Sequence, residues 1–411
     1  MTKTALIIGA GFTGVCIGEQ LRRDGVAVTL IDRVPVGDPA QASFGNAGLL
    51  ARAAIIPAAE PSVFAQLPKL LFSRNSPLRL RWSYLPRFAP WGLGFLRNAS
   101  AARVTKIATS IDMLTHDTVD QHIQLAKGTG AEKYITSGTL TYLYRTRADY
   151  ENSTFANELK ASLGCVPDKL DLPDLQAADP AIGDAYHFGA RYGANGSISN
   201  PAAYLQALFA HFQKHGGQFV QNAVTAIDGN EVILENGDKL RGDNIILAAG
   251  AWSKSLTAGL GHKVPLQGER GYHLLLKSPN LTPTTPYLVT DAKLALSPMD
   301  MGLRCAGTTE FAPLDSAPSQ MPINLLRKTA QEVFPNLTWN GEETWMGNRP
   351  STIDSLPMLG RAKSNPNVIF AFGSQHLGLT IAPKLAQFTT QIVRNQTPNV
   401  DISALRVDRF D

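Results

Sequence analysis

Apolar and polar positions at the start of the chain fall into a strand, a helix and a second strand. Thr4-Ala-Leu-Ile-Ile8 is an unbroken apolar run that predicts a buried strand, Val15 to Arg23 predicts a helix, and Val26-Ala-Val-Thr-Leu-Ile31 predicts another buried strand closed by Asp32. The strand and helix are joined by Gly9-Ala-Gly-Phe-Thr-Gly14. Gly9 suits a tight turn, Gly11 lets the backbone approach a pyrophosphate, and Gly14 lets the helix pack close to the sheet with its N-terminal amides facing phosphate. Asp32 stands where a carboxylate can accept from adenosine ribose hydroxyls. Strand, glycine turn, helix, strand and acid in register predict a dinucleotide site.

Further along, a turn-rich loop from Pro35 to Gly48 contains Ser43-Phe-Gly-Asn-Ala-Gly48, whose small residues permit close ligand contact. Residues 56–100 are proline-rich and basic. A helix is expected from Ala101 to about Lys127, and two short β runs flank Gly138 between Tyr134 and Arg145. Asn200-Pro201 reads as the cap and first turn of a helix running to about His215. Then come β runs at Gln218–Val220, Val224–Ile227 and Glu231–Leu234, a hairpin turn at Glu235-Asn-Gly-Asp238, and a buried strand Asn244-Ile-Ile-Leu-Ala-Ala-Gly250. His262 to Gly307 is β-rich, Asn324 to Phe334 predicts a helix, and the last seventy or so residues return to strand, loop and helix.

The 411 residues exceed what one hydrophobic core usually serves, so two domains are expected. No apolar run of about eighteen residues is present to span a bilayer. The N-terminus enters the glycine turn too soon to leave room for a cleavable signal, which points to the cytoplasm. Cys16, Cys165 and Cys305 are far apart and the histidines lack metal-binding spacing, so neither a disulfide framework nor a metal site is expected. A net charge of +4 is too mild to imply nucleic acid. Its distribution is more informative. From Pro61 to Ile111 there is no Asp or Glu, while eight Lys and Arg residues, among them Lys69, Arg74 and Arg81, alternate with Trp82, Tyr84, Trp91 and other apolar residues. Such a segment suits the inner face of an anionic membrane, and equally a helical subdomain with a basic rim.

Two more glycine-bearing stretches, Leu247-Ala-Ala-Gly-Ala-Trp-Ser253 and Ala371-Phe-Gly-Ser-Gln-His-Leu-Gly-Leu-Thr380, accompany the N-terminal turn. Together the three resemble the amino-acid oxidase class of FAD-dependent oxidoreductases. The resemblance covers nearly the whole chain and is nearest to the bacterial D-amino-acid dehydrogenases, including those acting on D-proline and D-hydroxyproline. It rests also on Ser43–Gly48, Gly268-Glu-Arg-Gly-Tyr-His273 and Gly347-Asn-Arg-Pro350. Gly45 departs from it, standing where Ala is frequent, and Asn348 stands where an apolar residue is more usual.

This resemblance implies an α/β architecture of two domains. A Rossmann-like FAD-binding domain (1–55, 198–262 and 345–411) is interleaved with an antiparallel-sheet substrate domain (56–197 and 263–344). It implies non-covalent FAD held by Gly9, Ala10, Gly11, Phe12, Thr13, Gly14, Asp32 and Arg33, and by Ser43, Asn46, Ala47, Gly48 and Leu49. Val224, Ala249, Gly250 and Trp252 are implied to bind it too, the stretch around Gly250 passing beneath the cofactor, and Gly373, His376, Leu377, Gly378, Leu379 and Thr380 meet the isoalloxazine end, with helix-terminal amides toward its N1/O2 edge. Cys305 is expected to pack rather than to carry flavin.

Arg349 is the expected clamp for a substrate carboxylate, since a planar guanidinium binds it bidentately; the alternative is a surface arginine paired with Asp354 or Glu343. Tyr272 is expected to orient the carboxylate or cap the pocket, His273 to be structural, and His376 to contact substrate or flavin. No general base is expected. The implied reaction passes a hydride from Cα–H of a D-amino acid to flavin, and electrons then go to a quinone or similar acceptor. The alternatives are an oxygen-using oxidase acting on glycine, sarcosine or D-amino acids, and a flavin-bearing subunit of a membrane assembly or a tRNA-modifying flavoprotein.

Overall fold

Three parallel strands, Thr4–Ile8, Asn244–Leu247 and Val368–Phe372, lie side by side, and the N-terminal glycine turn and the stretches Leu247–Ser253 and Ala371–Thr380 leave from their carboxyl ends. In the computed structural model, which describes residues 3–73 and 76–410, a six-stranded sheet has the order Met358–Arg361, Val368–Phe372, Asn244–Leu247, Thr4–Ile8, Ala27–Asp32, Gln218–Gln221. All neighbours are parallel except the outermost pair, Met358–Arg361 with Val368–Phe372. Continuous apolar runs become the central strands because both faces are covered, as parallel sheets require. Helices Phe12–Arg23, Gly378–Val393 and Pro201–Lys214 pack on this sheet and on one another. The first helix starts three residues before the expected Val15.

The second sheet has ten strands and is mostly antiparallel. Its main path runs Gly341–Thr352, Leu266–Lys277, Gly302–Phe311, Leu294–Met299, Tyr287–Val289, Ile135–Tyr144, Phe188–Ile198, Leu49–Leu50. Leu78–Leu80 and Asp168–Asp171 pair at its margins. The strand Gly341–Thr352 spans the expected boundary at 345 and lies wholly in this sheet. Behind the sheet, helix Gln320–Val333 packs on Leu274, Leu276, Leu303 and Cys305. Cys305 is fully buried there and burial pushes its thiol up. A three-stranded antiparallel unit, Val224–Asp228, Glu231–Leu234 and Lys239–Arg241, carries the expected hairpin.

Three elements differ from their sequence expectation. Ala101 to Lys127 forms two helices, Ala101–Thr115 and Thr118–Ala126, broken at His116-Asp117. The two β runs around Gly138 are one strand, Ile135–Tyr144, with a register shift between Gly138 and Leu140. The helix expected from Asn324 begins at Gln320 and places Pro322 in its first turn, where the missing N–H costs nothing.

The basic segment folds as helices Val63–Phe72 and Leu85–Leu96 around Leu78–Leu80. Trp91 is buried against Phe88, Phe95 and Phe311, and its indole donates to Pro265 O at 3.2 Å. Arg81 is committed to Glu310, Ala317 O and Ser319. Outward, Phe64, Trp82, Leu85 and Leu93 are exposed, four of nine such large apolar side chains among the described residues. Arg74 and the Lys69 side chain lie outside what is described. No helix among the described residues is long and apolar enough to cross a membrane.

Candidate active site

A cavity of about 1520 Å³ opens between the two sheets. Ligand pockets commonly measure about 300–1,000 Å³, so this one has room for more than a single small molecule. Its wall begins at the carboxyl ends of the parallel strands, the usual ligand position in such sheets. Gly9, Gly11, Phe12, Thr13, Asp32, Arg33, Ser43, Asn46, Ala47 and Leu49 line it, with Val224, Ala249, Gly250 and Trp252. So do Gly373, His376, Leu377, Gly378, Leu379, Thr380, Arg349 and Tyr272.

Three of the expected cofactor residues do not line it, and each has a backbone reason to be where it is. A Cβ on Gly14 would lie 1.8 Å from Gly9 O, which is the helix–strand contact itself. Gly48 has φ +72° and a Cβ there would meet Ile198 O at 2.4 Å. Ala10 is fully buried, with its N–H donating to Asp32 Oδ2 at 2.7 Å.

The turn is built to leave space. Gly9 sits at φ +105°, and a Cβ would lie 2.4 Å from Ala248 O. A Cβ on Gly11 would approach Ser43 Oγ at 2.9 Å, and that hydroxyl accepts from Phe12 N–H at 3.0 Å. The helix N-terminus and Ser43 thus enclose an anion-sized cradle from two sides. Asp32 also accepts from Gln41 Nε2 (3.0 Å), a partner the sequence did not single out, and keeps further lone pairs toward the cavity. Arg33 stacks on Trp252, its Cζ 3.9 Å from the ring centroid. At the far end, Gly373 has φ +86° and the first residues of the helix from Gly378 line the cavity. Ser374 Oγ and Thr308 Oγ1, both on cavity-lining residues, are buried without a hydrogen-bond partner. Cradle, helix termini and unpaired hydroxyls fit a flavin dinucleotide.

On the larger sheet, Glu269 and Arg349 are directly paired across two strands. Arg349 NH1 lies 2.9 Å from Glu269 Oε1 and 3.1 Å from Thr308 O. The alternative partners are taken elsewhere: Asp354 pairs with Arg409 and Glu343 with Lys277. The guanidinium lies flat over Gly271, where a Cβ would fall 2.4 Å from Cζ. Burial alone would raise the Glu269 carboxyl, but Arg349 and the hydroxyls of Ser351 (2.8 Å) and Thr309 (2.9 Å) hold it below the usual range. Glu269 lies within Gly268-Glu-Arg-Gly-Tyr-His273 yet carries no signal of its own in the sequence, because its partner is 80 residues away. His376 faces the same pair. Its ring is exposed, but to the cavity, and the enclosing protein holds its pKa down against the pull of Glu269, with Arg349 adding to the depression.

Tyr272 differs from its expectation. Three residues beyond Glu269, it turns to the opposite face and packs with Leu274, Ile323 and Leu326. Its hydroxyl donates to Glu310 and accepts from Ser319 N–H at 3.1 Å, so although the residue borders the cavity, the phenol is not free to hold a carboxylate. His273 supports the cofactor loop, with Nδ1 donating to Gly45 O at 3.2 Å and its ring stacked on Trp345. The departures also acquire reasons. A methyl on Gly45 would meet the Trp345 ring at 2.0 Å, and Asn348 is buried with Oδ1 unpaired.

Comparison with known proteins matches residues 4–392 to the family model described as DAO, FAD dependent oxidoreductase. A D-amino-acid oxidase of Bradyrhizobium diazoefficiens is 33% identical, over 98% of each chain. A D-amino acid dehydrogenase of Dechloromonas aromatica is 26% identical over 98% of this chain and 99% of the relative. The crystal structure of glycine oxidase from Geobacillus kaustophilus superposes with a TM-score of 0.73 at 19% identity, covering 99% of both chains, which supports the fold. With its glycine cradle and the match across nearly its full length, the chain belongs to the DAO family of FAD-dependent oxidoreductases.

Proposed function

We propose that this chain oxidises a D-amino acid. The observation that carries the reading is Arg349, braced by Glu269 and facing the cavity that the cofactor loops line. With NH1 occupied, Nε has no hydrogen-bond partner among the described residues and NH2 makes only a 3.5 Å contact to Gly307 O, so one edge of the guanidinium is available to a carboxylate. Bound FAD supplies the two-electron acceptor for the Cα hydrogen. The protein's part is orientation: Arg349 fixes the acid end, and His376, held largely uncharged, borders the reacting end without adding a second positive charge near the amine. The substrate enters with its amine neutral. Its Cα–H bond breaks as a hydride, the nitrogen lone pair forms C=N, and water hydrolyses the imine to a 2-oxo acid and ammonia. D-Proline or D-hydroxyproline would instead leave a pyrroline carboxylate. Electrons pass on to a quinone, and the exposed Phe64, Trp82, Leu85 and Leu93 in a segment without acidic residues support contact with an anionic membrane there.

The name of the 33% identical relative favours a second acceptor, oxygen. Oxygen uptake measured beside quinone-analogue reduction decides between them. The primary reading is tested by mixing FAD-loaded protein anaerobically with D- and L-amino acids. Bleaching of flavin absorbance by D-enantiomers supports it, and bleaching by L-enantiomers alone overturns it.

A further inference from the structure

Away from Arg349, the same cavity reaches a buried lysine that the reaction above does not use. Lys160, on helix Thr154–Ser162, is 6% exposed and borders the cavity. Its ammonium lies 4.1 Å from the ring centroid of Tyr142 and 4.8 Å from that of Tyr192. Neither a hydrogen-bond acceptor nor a carboxylate within 4 Å accompanies it among the described residues, and the hydroxyl of Tyr192 is buried with no partner of its own. Burial lowers this ammonium to about 8; Cys165 and Glu60 oppose the shift and Lys293 adds to it, so it is mostly charged at neutral pH. A buried cation with aromatic faces around it and no anion in direct contact is costly unless something anionic arrives.

The sheet sets the distance. Arg349 reaches carbonyls on the strand Gly302–Phe311, and from there Gly307 pairs with Leu294, Leu294 with Val289, and Val289 with Leu143, the neighbour of Tyr142. Three strand spacings make about 14 Å. Allowing about 3 Å for the contact at each end leaves about 8 Å between two bound anionic groups. Aspartate and glutamate are too short to span that. Leu288 and Ala295, directly paired across two strands, line the cavity between the two ends, an apolar floor for a methylene chain.

Resting on the assignment of Arg349 to the α-carboxylate, we propose that Lys160 is a second anion-binding position, and that the substrate carries a carboxylate at its far end, on a chain of about seven or eight carbons with both carboxyl carbons counted. Linear dicarboxylates from glutarate to azelate, titrated calorimetrically into the FAD-loaded protein beside monocarboxylates of equal length, test this. At a length near pimelate or suberate the diacid should bind about tenfold tighter than the monoacid, the effect of one charge-assisted contact. Lys160→Met should remove that advantage and Lys160→Arg should keep it, with flavin content reporting that both variants fold. Equal binding of the two acids at every length overturns the proposal, as does an advantage that survives in Lys160→Met. Failure of the underlying reading looks different: Arg349→Met would then leave both kinds of acid binding as before, which overturns the two together.

Discussion

A methyl group on Gly271 would sit 2.4 Å from Cζ of Arg349, so the smallest possible substitution displaces the proposed carboxylate clamp. Gly271→Ala should raise KM for the amino acid about tenfold or more while flavin absorbance is unchanged. Arg349→Lys should cost more. Loss of a paired charged contact, about 3 kcal/mol, corresponds to about a hundredfold in kcat/KM, and unchanged kinetics would remove Arg349 from the site. At the other end of the cavity, Gly11→Val places bulk against Ser43 Oγ and Phe12 N–H, and the variant should purify without bound FAD. The glycine turns were legible in the sequence because each sits in a short pattern between strand and helix, whereas Arg349 is singled out by the family resemblance. Glu269 was not, since its meaning comes from a strand register that pairs it with Arg349. The faces of Tyr272 and His273 depend on the same register, which places the phenol behind the sheet.

The helix Gly378–Val393, whose first turn faces the cavity, contains Pro383, which cannot donate to Leu379 O. His122 Nε2 lies 2.9 Å from that carbonyl and donates to it, while Nδ1 accepts from Tyr204 OH at 2.7 Å. Thr118 Oγ1 takes the next carbonyl, Thr380 O, at 2.6 Å. The short helix Thr118–Ala126 therefore steadies the cavity-lining helix. His122→Leu strands both a carbonyl and a phenol, and should lower unfolding stability by about 1–3 kcal/mol, read as a lower denaturation midpoint in urea. A stability equal to wild type would show that water repairs the gap. The sequence suggested one long helix over this region because no glycine or proline marks the break at His116-Asp117. Tertiary hydrogen bonds to a distant proline-containing helix leave no local trace.

At the scale of the whole molecule, the interior holds histidines uncharged. Burial lowers His122 to about 4 and His273 to about 3, and for His273 the nearby Arg304 adds to the effect. Unfolded histidine gains its proton near 6.5, so below that pH the unfolded chain binds more protons than the native one. Stability is therefore lost as pH falls from about 6.5 toward 4 for His122 and 3 for His273, and Glu269 and Glu310, both held below their ordinary range, extend the loss further down. Thermal midpoints should drop between pH 7 and 4.5, and His273→Gln should flatten the slope; a rising midpoint would contradict this. The two-sheet plan was foreseeable from alternating strand and helix signals with a long β-rich middle. What sequence could not supply was the assembly: the strand Gly341–Thr352 carries Arg349 into the larger sheet, so that sheet, rather than the one with the glycine turn, presents the proposed clamp. The most direct measurement is an anaerobic titration of the FAD-loaded protein with D-amino acids, following flavin absorbance in wild type and Arg349→Lys. The account predicts complete bleaching of the wild type by a D-amino acid, with a much higher half-saturating concentration in the variant. A protein that cannot be loaded with FAD, or one bleached equally with and without the guanidinium, would contradict it.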